Sequence, residues 1–170
     1  AKHEVCDDII HCNDSSDDEK LCINLKAKCP LDCECLALSF ICYNETLSDF
    51  SQMSIAVKAV ILNYNTISFK DFATKLPAWK SVVIFHLQSC NILDLSLQTF
   101  KNNRNLKSLD LSNNSISQIL PQTLCCMTNL INPKLNQNNI SGIQGHAFIP
   151  VTNLRVLDLS NNLYINSQCM

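Results

Sequence analysis

The string LKSLDLSNNSI, running from Leu106 to Ile116, decides how this chain folds. Apolar residues hold positions 1, 4, 6 and 11 of the string, and an asparagine, Asn114, holds position 9. Leu109 and Leu111 alternate with Ser108, Asp110 and Ser112, the two-residue period of a strand with one face turned inward. Near-copies flank it: VKAVILNYNTI from Val57, VVIFHLQSCNI from Val82, LINPKLNQNNI from Leu130 and LRVLDLSNNLY from Leu154. The five starts are 25, 24, 24 and 24 residues apart. Five copies at one period mean stacked units, each burying the apolar side of its neighbour.

Period and pattern together resemble the leucine-rich repeat. The resemblance implies an α/β solenoid with a curved parallel β-sheet on its concave face. The position-9 side chains are Asn65, Cys90, Asn114, Asn138 and Asn162, and an amide there is placed to satisfy backbone groups of adjoining turns. Cys90 reads as a ladder residue rather than a reactive thiol. A second inward site follows at Leu95, Ile119 and Ile143, then a spine at Phe100, Leu124 and Phe148. In the first repeat Phe72 and Trp79 fill that space over one extra residue. Pro133 takes a position-4 leucine site and removes an N–H from a central strand, which predicts a weak or bulged strand there.

Composition sets the surroundings. Two glycines and 46% hydrophobic residues are not those of a disordered chain. Of eleven cysteines, seven fall between Cys6 and Cys42, which indicates an oxidising, extracellular setting with disulfides near the N-terminal end. Four glycosylation sequons, at Asn13, Asn44, Asn113 and Asn139, agree with it. Residues 1–22 carry seven acids and two bases, a net −5, against +3 over the remainder. The bases are scattered, with no aromatic interleaving of the kind that grips nucleic acid. No secretory leader and no apolar run of about 18 residues occurs. The chain begins at Ala1 and reaches Met170 within a repeat, so it reads as part of a longer protein.

Four segments follow: an acidic, cysteine-bearing head at 1–22, a joint at 23–28, a cysteine box and its approach to the repeats at 29–56, and five repeats at 57–170, the last truncated. The box CPLDCECLALSFIC, Cys29 to Cys42, has the spacing C-x3-C-x-C-x6-C. A solenoid end exposes apolar surface and a free strand edge, so it needs a cap. The box resembles the N-terminal cap of extracellular leucine-rich proteins, which implies the pairs Cys29–Cys35 and Cys33–Cys42. Four cysteines also suit a zinc ion. Cys125 and Cys126, on the convex side of the third repeat, and Cys169 are left over. Adjacent cysteines rarely pair with each other, so these either reach a further repeat or pack as small apolar residues.

The head, Cys6-Asp7 through Cys12, Asp14, Ser16, Asp17 and Asp18 to Cys22, resembles the second half of an LDL-receptor class A module. That likeness implies calcium held by side chains of Asp7, Asp17 and Asp18 with carbonyls of Glu4 and Ile9, hard oxygen donors suited to the ion. It also implies a Cys6–Cys22 disulfide and leaves Cys12 unpaired. His11 stands where an aspartate ligand is expected, Asp18 replaces a glutamate and the approach to Cys22 is one residue long. A solvated acidic strip is the other reading of the head.

Nothing here reads as an enzyme. His3, His11, His86 and His146 are scattered, and no metalloprotease, nucleophile-elbow or phosphate-loop motif is present. The concave face is the candidate working surface, since alternate side chains point outward from a rigid sheet. It is expected to carry Lys58, Ile61, Tyr64, Ile84, His86, Gln88, Ser108, Asp110, Ser112, Asn132, Lys134, Asn136, Val156, Asp158 and Ser160. Of these, His86, Gln88, Asp110, Ser112, Lys134, Asn136 and Asp158 are the candidate ligand-binding residues. An acidic module, a cap and repeats in that order resemble the ectodomain of relaxin-receptor-like leucine-rich-repeat G-protein-coupled receptors. The short joint from Cys22 to Cys29 points to the invertebrate type. The resemblance implies a peptide or protein ligand on the concave face, at the extracellular side of the plasma membrane, and G-protein coupling through a membrane region outside this chain. A secreted or cell-surface leucine-rich adhesion or matrix protein is the alternative.

Overall fold

A computed structural model describes residues 33–36, 38–43, 46–47, 57–67, 79–95 and 99–163. Its strands are β1 (Cys33–Leu36), β2 (Ser39–Cys42), β3 (Thr46–Leu47), β4 (Ala59–Ile61), β5 (Thr66–Ile67), β6 (Ile84–His86), β7 (Ser108–Asp110), β8 (Gln118–Ile119), β9 (Asn132–Lys134) and β10 (Gly142–Ile143). The principal sheet runs β1-β2-β4-β6-β7-β9, and every pairing from β2 onward is parallel. Two smaller parallel pairs, β3 with β5 and β8 with β10, line the chain's return. This is the leucine-rich-repeat solenoid that the spacing implies. The expected α/β class is realised with turn-built returns, and among the described residues there is no helix.

The core is a stack of rows, one for each inward position. Phe40, Val60, Phe85 and Leu109 form one; Cys42, Leu62, Leu87, Leu111 and Leu135 form the next; Ile67, Ile92, Ile116 and Ile140 close the strand end. All are buried, so each repeat is covered on both sides by its neighbours. On the return, Phe100 meets Phe85 edge to face at 6.3 Å, a favoured aromatic arrangement. Trp79 is buried, its carbonyl accepting the Asn103 Nδ2 hydrogen bond at 3.0 Å. That places Trp79 one repeat before Asn103, beyond the spine row of Phe100; Phe72 lies outside the described residues.

The cap closes the first edge. β1 turns back on β2 with Cys33 opposite Cys42, and those two cysteines are disulfide-bonded across a Cα separation of 4.6 Å. Cross-linking so short a loop stabilises by about 2–3 kcal/mol on the chain-entropy account. Cys35 is disulfide-bonded as well; its expected partner Cys29, together with Cys6, Cys12, Cys22 and the calcium-ligand candidates Asp7, Asp17 and Asp18, lies outside the described residues. So do the sequons at Asn13 and Asn44. Of the other cysteines, Cys90, Cys125 and Cys126 are free thiols.

What fixes the register is position 9. Asn114 Nδ2 donates to the carbonyls of Leu87 (2.8 Å), Leu111 (3.0 Å) and Ser112 (3.1 Å), while its Oδ1 accepts from the N–H groups of Cys90 and Ile92, both at 3.0 Å. Asn138 repeats the arrangement one turn on, donating to Leu111 and Leu135 and accepting from Ile116. Asn162 does so again with Leu135, Leu159 and Ile140. Asn65 ties the first repeat to the cap through the Cys42 carbonyl at 2.8 Å. Cys90 donates its thiol to the Leu62 carbonyl at 2.9 Å, a weaker version of the same bond. Burial pushes that thiol up to about 11, against the pull of the Asn65 and Tyr64 backbone, so it is neutral and unreactive at neutral pH.

Immediately before each of these residues the backbone turns left-handed, at Tyr64, Ser89, Asn113, Gln137 and Asn161, with φ between 54° and 63°. None is glycine, so the fold holds this turn at a cost.

Pro133 corrects one expectation. It is buried, and β9 pairs with β7 without a bulge, Leu109 opposite Pro133. The weakness falls on the other side. Leu135 N–H reaches forward to the Asp158 carbonyl at 2.9 Å, and by the two-residue alternation an N–H at 133 would reach the carbonyl of Val156. Proline has none, so the fifth repeat is joined by one sheet bond fewer, through the pairing of Lys134 with Asp158 and the Arg155, Val156 and Asp158 N–H groups that donate back to the Ile131 and Pro133 carbonyls.

Replacing Asn114 by alanine strands buried backbone groups on two repeats, and we expect a loss of about 3 kcal/mol in urea unfolding. Cys90→Asn supplies the missing amide and should gain about 1 kcal/mol. Equal, small effects of the two changes would remove the ladder from its proposed role.

Candidate functional site

The parallel register sorts the concave side chains into rows. Ala59, Ile84, Ser108 and Asn132 align, as do Ile61, His86, Asp110 and Lys134, with Asp158 bridged to Lys134. One step along the strand come Asn63, Gln88, Ser112, Asn136 and Ser160. In the first repeat the sequence reading had named Lys58 and Tyr64. The register substitutes Ala59 and Asn63, which keep the alternation through Ile61. Asn63 Oδ1 accepts the Gln88 N–H at 2.9 Å, a residue that strict alternation from Val60 would have found.

The central row is electrostatically tied together. Lys134 Nζ lies 3.2 Å from Asp110 Oδ2. Asp110 Oδ1 accepts the Ser112 N–H at 3.0 Å and its hydroxyl at 2.6 Å. Burial pushes the Asp110 carboxyl up, but the Ser112 bonds and then Lys134 outweigh it, and the net shift is downward. Asp158 makes the same turn with Ser160, its hydroxyl at 2.7 Å and its N–H at 3.0 Å. Those bonds, the hydroxyl's first, lower the Asp158 carboxyl; Lys134 also favours the anion, and burial and Asp110 oppose it. His86 Nε2 is 3.1 Å from Ser108 Oγ. Burial lowers its pKa, Asp110 works in the opposite direction and Lys134 adds to the lowering, so the imidazole is neutral at neutral pH. The row therefore presents neutral, negative, positive and negative groups in turn.

Of the candidate residues, His86, Asp110, Lys134 and Asp158 come together in this row, and Gln88, Ser112 and Asn136 in the next. Asp110 and Ser112 are largely buried between their neighbours and act mainly by positioning Lys134 and each other. Asn136 keeps a buried Oδ1 with no hydrogen-bond partner. His86 and the buried Cys90 occupy different faces and form no dyad. Asn113 and Asn139, the two sequons within the described residues, are both exposed, and Asn113 Nδ2 donates to Ser89 Oγ at 2.8 Å on the rim. Among the described residues, no group of three or more His, Cys, Asp or Glu side chains is placed to hold a metal ion.

Residues 80–132 match the family described as leucine rich repeat. The chain carries a leucine-rich-repeat domain. It is 38% identical over 81 residues to receptor-like protein 7 of Arabidopsis thaliana, covering 46% of this chain and 8% of that protein. To the human oligodendrocyte-myelin glycoprotein it is 40% identical over 81 residues, covering 45% of this chain and 18% of the relative. The match thus spans less than a fifth of either relative's length. Among solved structures, one described as the TLR13–ssRNA13 complex superposes with a TM-score of 0.67 at 22% identity, over 79% of this chain and 20% of that one. That likeness is one of fold. Domains of this kind serve as binding and protein-interaction modules; one of these relatives is receptor-like by name and the other a glycoprotein.

The charge row can be checked on its histidine. We expect the His86 ring to titrate below the usual histidine range by NMR, and Lys134→Ala to raise its midpoint while Asp110→Asn lowers it further. A lowered folded-state pKa contributes stability above the ordinary histidine value, and that stability is lost as pH falls through the folded one. An unshifted midpoint, insensitive to both changes, would dissolve the row as a coupled unit.

Proposed function

We propose that this chain is part of the extracellular ligand-recognition region of a G-protein-coupled peptide-hormone receptor of the relaxin-receptor-like, invertebrate type. Recognition is non-catalytic and takes place on the concave face, where His86, Gln88, Lys134, Asn136 and Asp158 meet a peptide or protein, with Asp110 and Ser112 holding Lys134 in place. The observation carrying the reading is the row His86–Asp110–Lys134–Asp158, whose polar groups stand on a rigid sheet and are partly saturated by one another. Such a row suits a ligand that brings both donors and acceptors. It offers no run of cations to track a phosphate backbone, which favours a peptide over nucleic acid. The receptor assignment itself rests on the order of acidic head, cap and repeats.

Calcium belongs to the same proposal: Asp7, Asp17 and Asp18 supply the hard oxygen donors the ion prefers, and the bound ion would hold the acidic head together. Saturable calcium binding that disappears on Asp17→Ala supports this, and its absence from the intact protein contradicts it. Glycans at Asn13, Asn44, Asn113 and Asn139 and a position outside the plasma membrane complete the reading.

The likeness to the human oligodendrocyte-myelin glycoprotein favours a second reading, a secreted or cell-surface adhesion or matrix protein. Expression of the full coding sequence in cultured cells separates the two. For the receptor we expect seven apolar segments downstream and a second-messenger response to peptide extracts. His86→Ala with Lys134→Ala should reduce that response at least about tenfold, the effect of losing about 1.4 kcal/mol of binding, at unchanged surface expression. A coding sequence without those segments would settle the matter for the adhesion protein.

A further inference from the structure

The convex face carries a feature that ligand recognition does not use. Cys125 and Cys126 are adjacent, free and half-exposed, in contrast to the buried thiol of Cys90. They occupy a turn pinned on either side by buried Leu124 and Met127, with the Met127 N–H returning to the Leu124 carbonyl at 3.3 Å. Cys126 is held in the left-handed region at φ 75°, a conformation a non-glycine residue adopts only when its surroundings impose it. Being consecutive in this turn, the two side chains are within reach of each other, and both Cys126 and the cation of Lys101, at the same place one repeat earlier, act on the Cys125 thiol. Two free, half-exposed thiols on consecutive residues of a tight surface turn are set up for chemistry with each other.

We propose that Cys125 and Cys126 form a reversible thiol–disulfide exchange site, closing to a vicinal disulfide on reaction with a small disulfide of the glutathione class. The thiolate of Cys126 attacks one sulfur of the small disulfide, a mixed disulfide forms, and one small thiolate departs. Cys125 then gives up its proton and attacks the Cys126 sulfur; the second small thiolate leaves and takes the proton. Two cysteine thiols and one small disulfide thus become one intrachain disulfide and two small thiols, with no other oxidant needed. Burial, followed by the neighbouring Cys126, raises the Cys125 thiol, which suits it to the second step rather than the first.

Reversibility follows from geometry. Consecutive Cα atoms are about 3.8 Å apart, short of the roughly 4.4–6.8 Å that an ordinary disulfide spans. A bond closed under that strain is more easily reduced than structural bonds such as Cys33–Cys42. The site therefore opens and closes under conditions that leave the cap intact.

The test uses the folded full chain treated with oxidised glutathione, alkylated and digested. We expect the peptide containing both cysteines to lose two hydrogens, about 2 Da, and to resist alkylation, with mild reduced glutathione restoring both thiols while Cys33–Cys42 persists. Cys125→Ser should trap a stable glutathione adduct on Cys126, because the second step is removed. The proposal is overturned if the wild-type chain keeps both thiols alkylatable, accumulates the adduct, or links either residue to another cysteine. The wild-type result decides even where a variant folds poorly.

Discussion

Everything in this molecule depends on one constraint: the polar backbone on the inner side of each turn must be satisfied in a place water does not reach. Asn65, Asn114, Asn138 and Asn162 meet it by spanning two repeats each, so that a side chain does the work a longer strand would otherwise do. Because the amide binds both its own turn and the preceding one, the repeats cannot slip past each other without losing several bonds together. Strands only three residues long are therefore sufficient. The left-handed residue before each asparagine is the backbone cost of aiming that amide inward.

A sheet fixed in this way presents its concave side chains already in place, and a ligand meeting them does not have to order them. The same fixity explains how the charge row is coupled. Lys134 sits between Asp110 and Asp158 because β9 is in register with β7 and bridged onward to the fifth repeat. The row nevertheless ends at a seam. Pro133 fills its core position well but cannot donate forward, so the fifth repeat is held by its asparagine, its apolar residues and a ladder of backbone bonds that lacks one member. The most C-terminal member of the row, Asp158, stands on the least firmly attached strand.

Much of this was legible in the sequence, because each inward position repeats at a fixed interval and the same residue classes recur there. The rows of core residues, the position-9 ladder and the Cys33–Cys42 cap bond all follow from pattern or resemblance. The first repeat was harder: the extra residue before Trp79 and the apolar run Ala59 to Leu62 hid the alternation, so Lys58 and Tyr64 were placed on a face that belongs to Ala59 and Asn63. Pro133 was legible as a weak point but not as an unbulged one, and which neighbour its missing N–H faces depends on the direction of sheet growth, which composition does not reveal. The charges at His86, Asp110, Lys134 and Asp158 were identifiable one by one, whereas their mutual saturation required the register.

The central claim, that asparagine-mediated bonds hold the sheet and that the hold weakens after the fourth repeat, is tested most directly by residue-resolved amide hydrogen exchange. The N–H groups of Cys90, Ile92 and Ile116, which bond to asparagine side chains of the following repeat, should exchange at the global unfolding limit, with Val156 and its neighbours exchanging far faster. Rapid exchange at Cys90, Ile92 and Ile116, or uniform protection continuing undiminished through residues 154–160, would contradict the account.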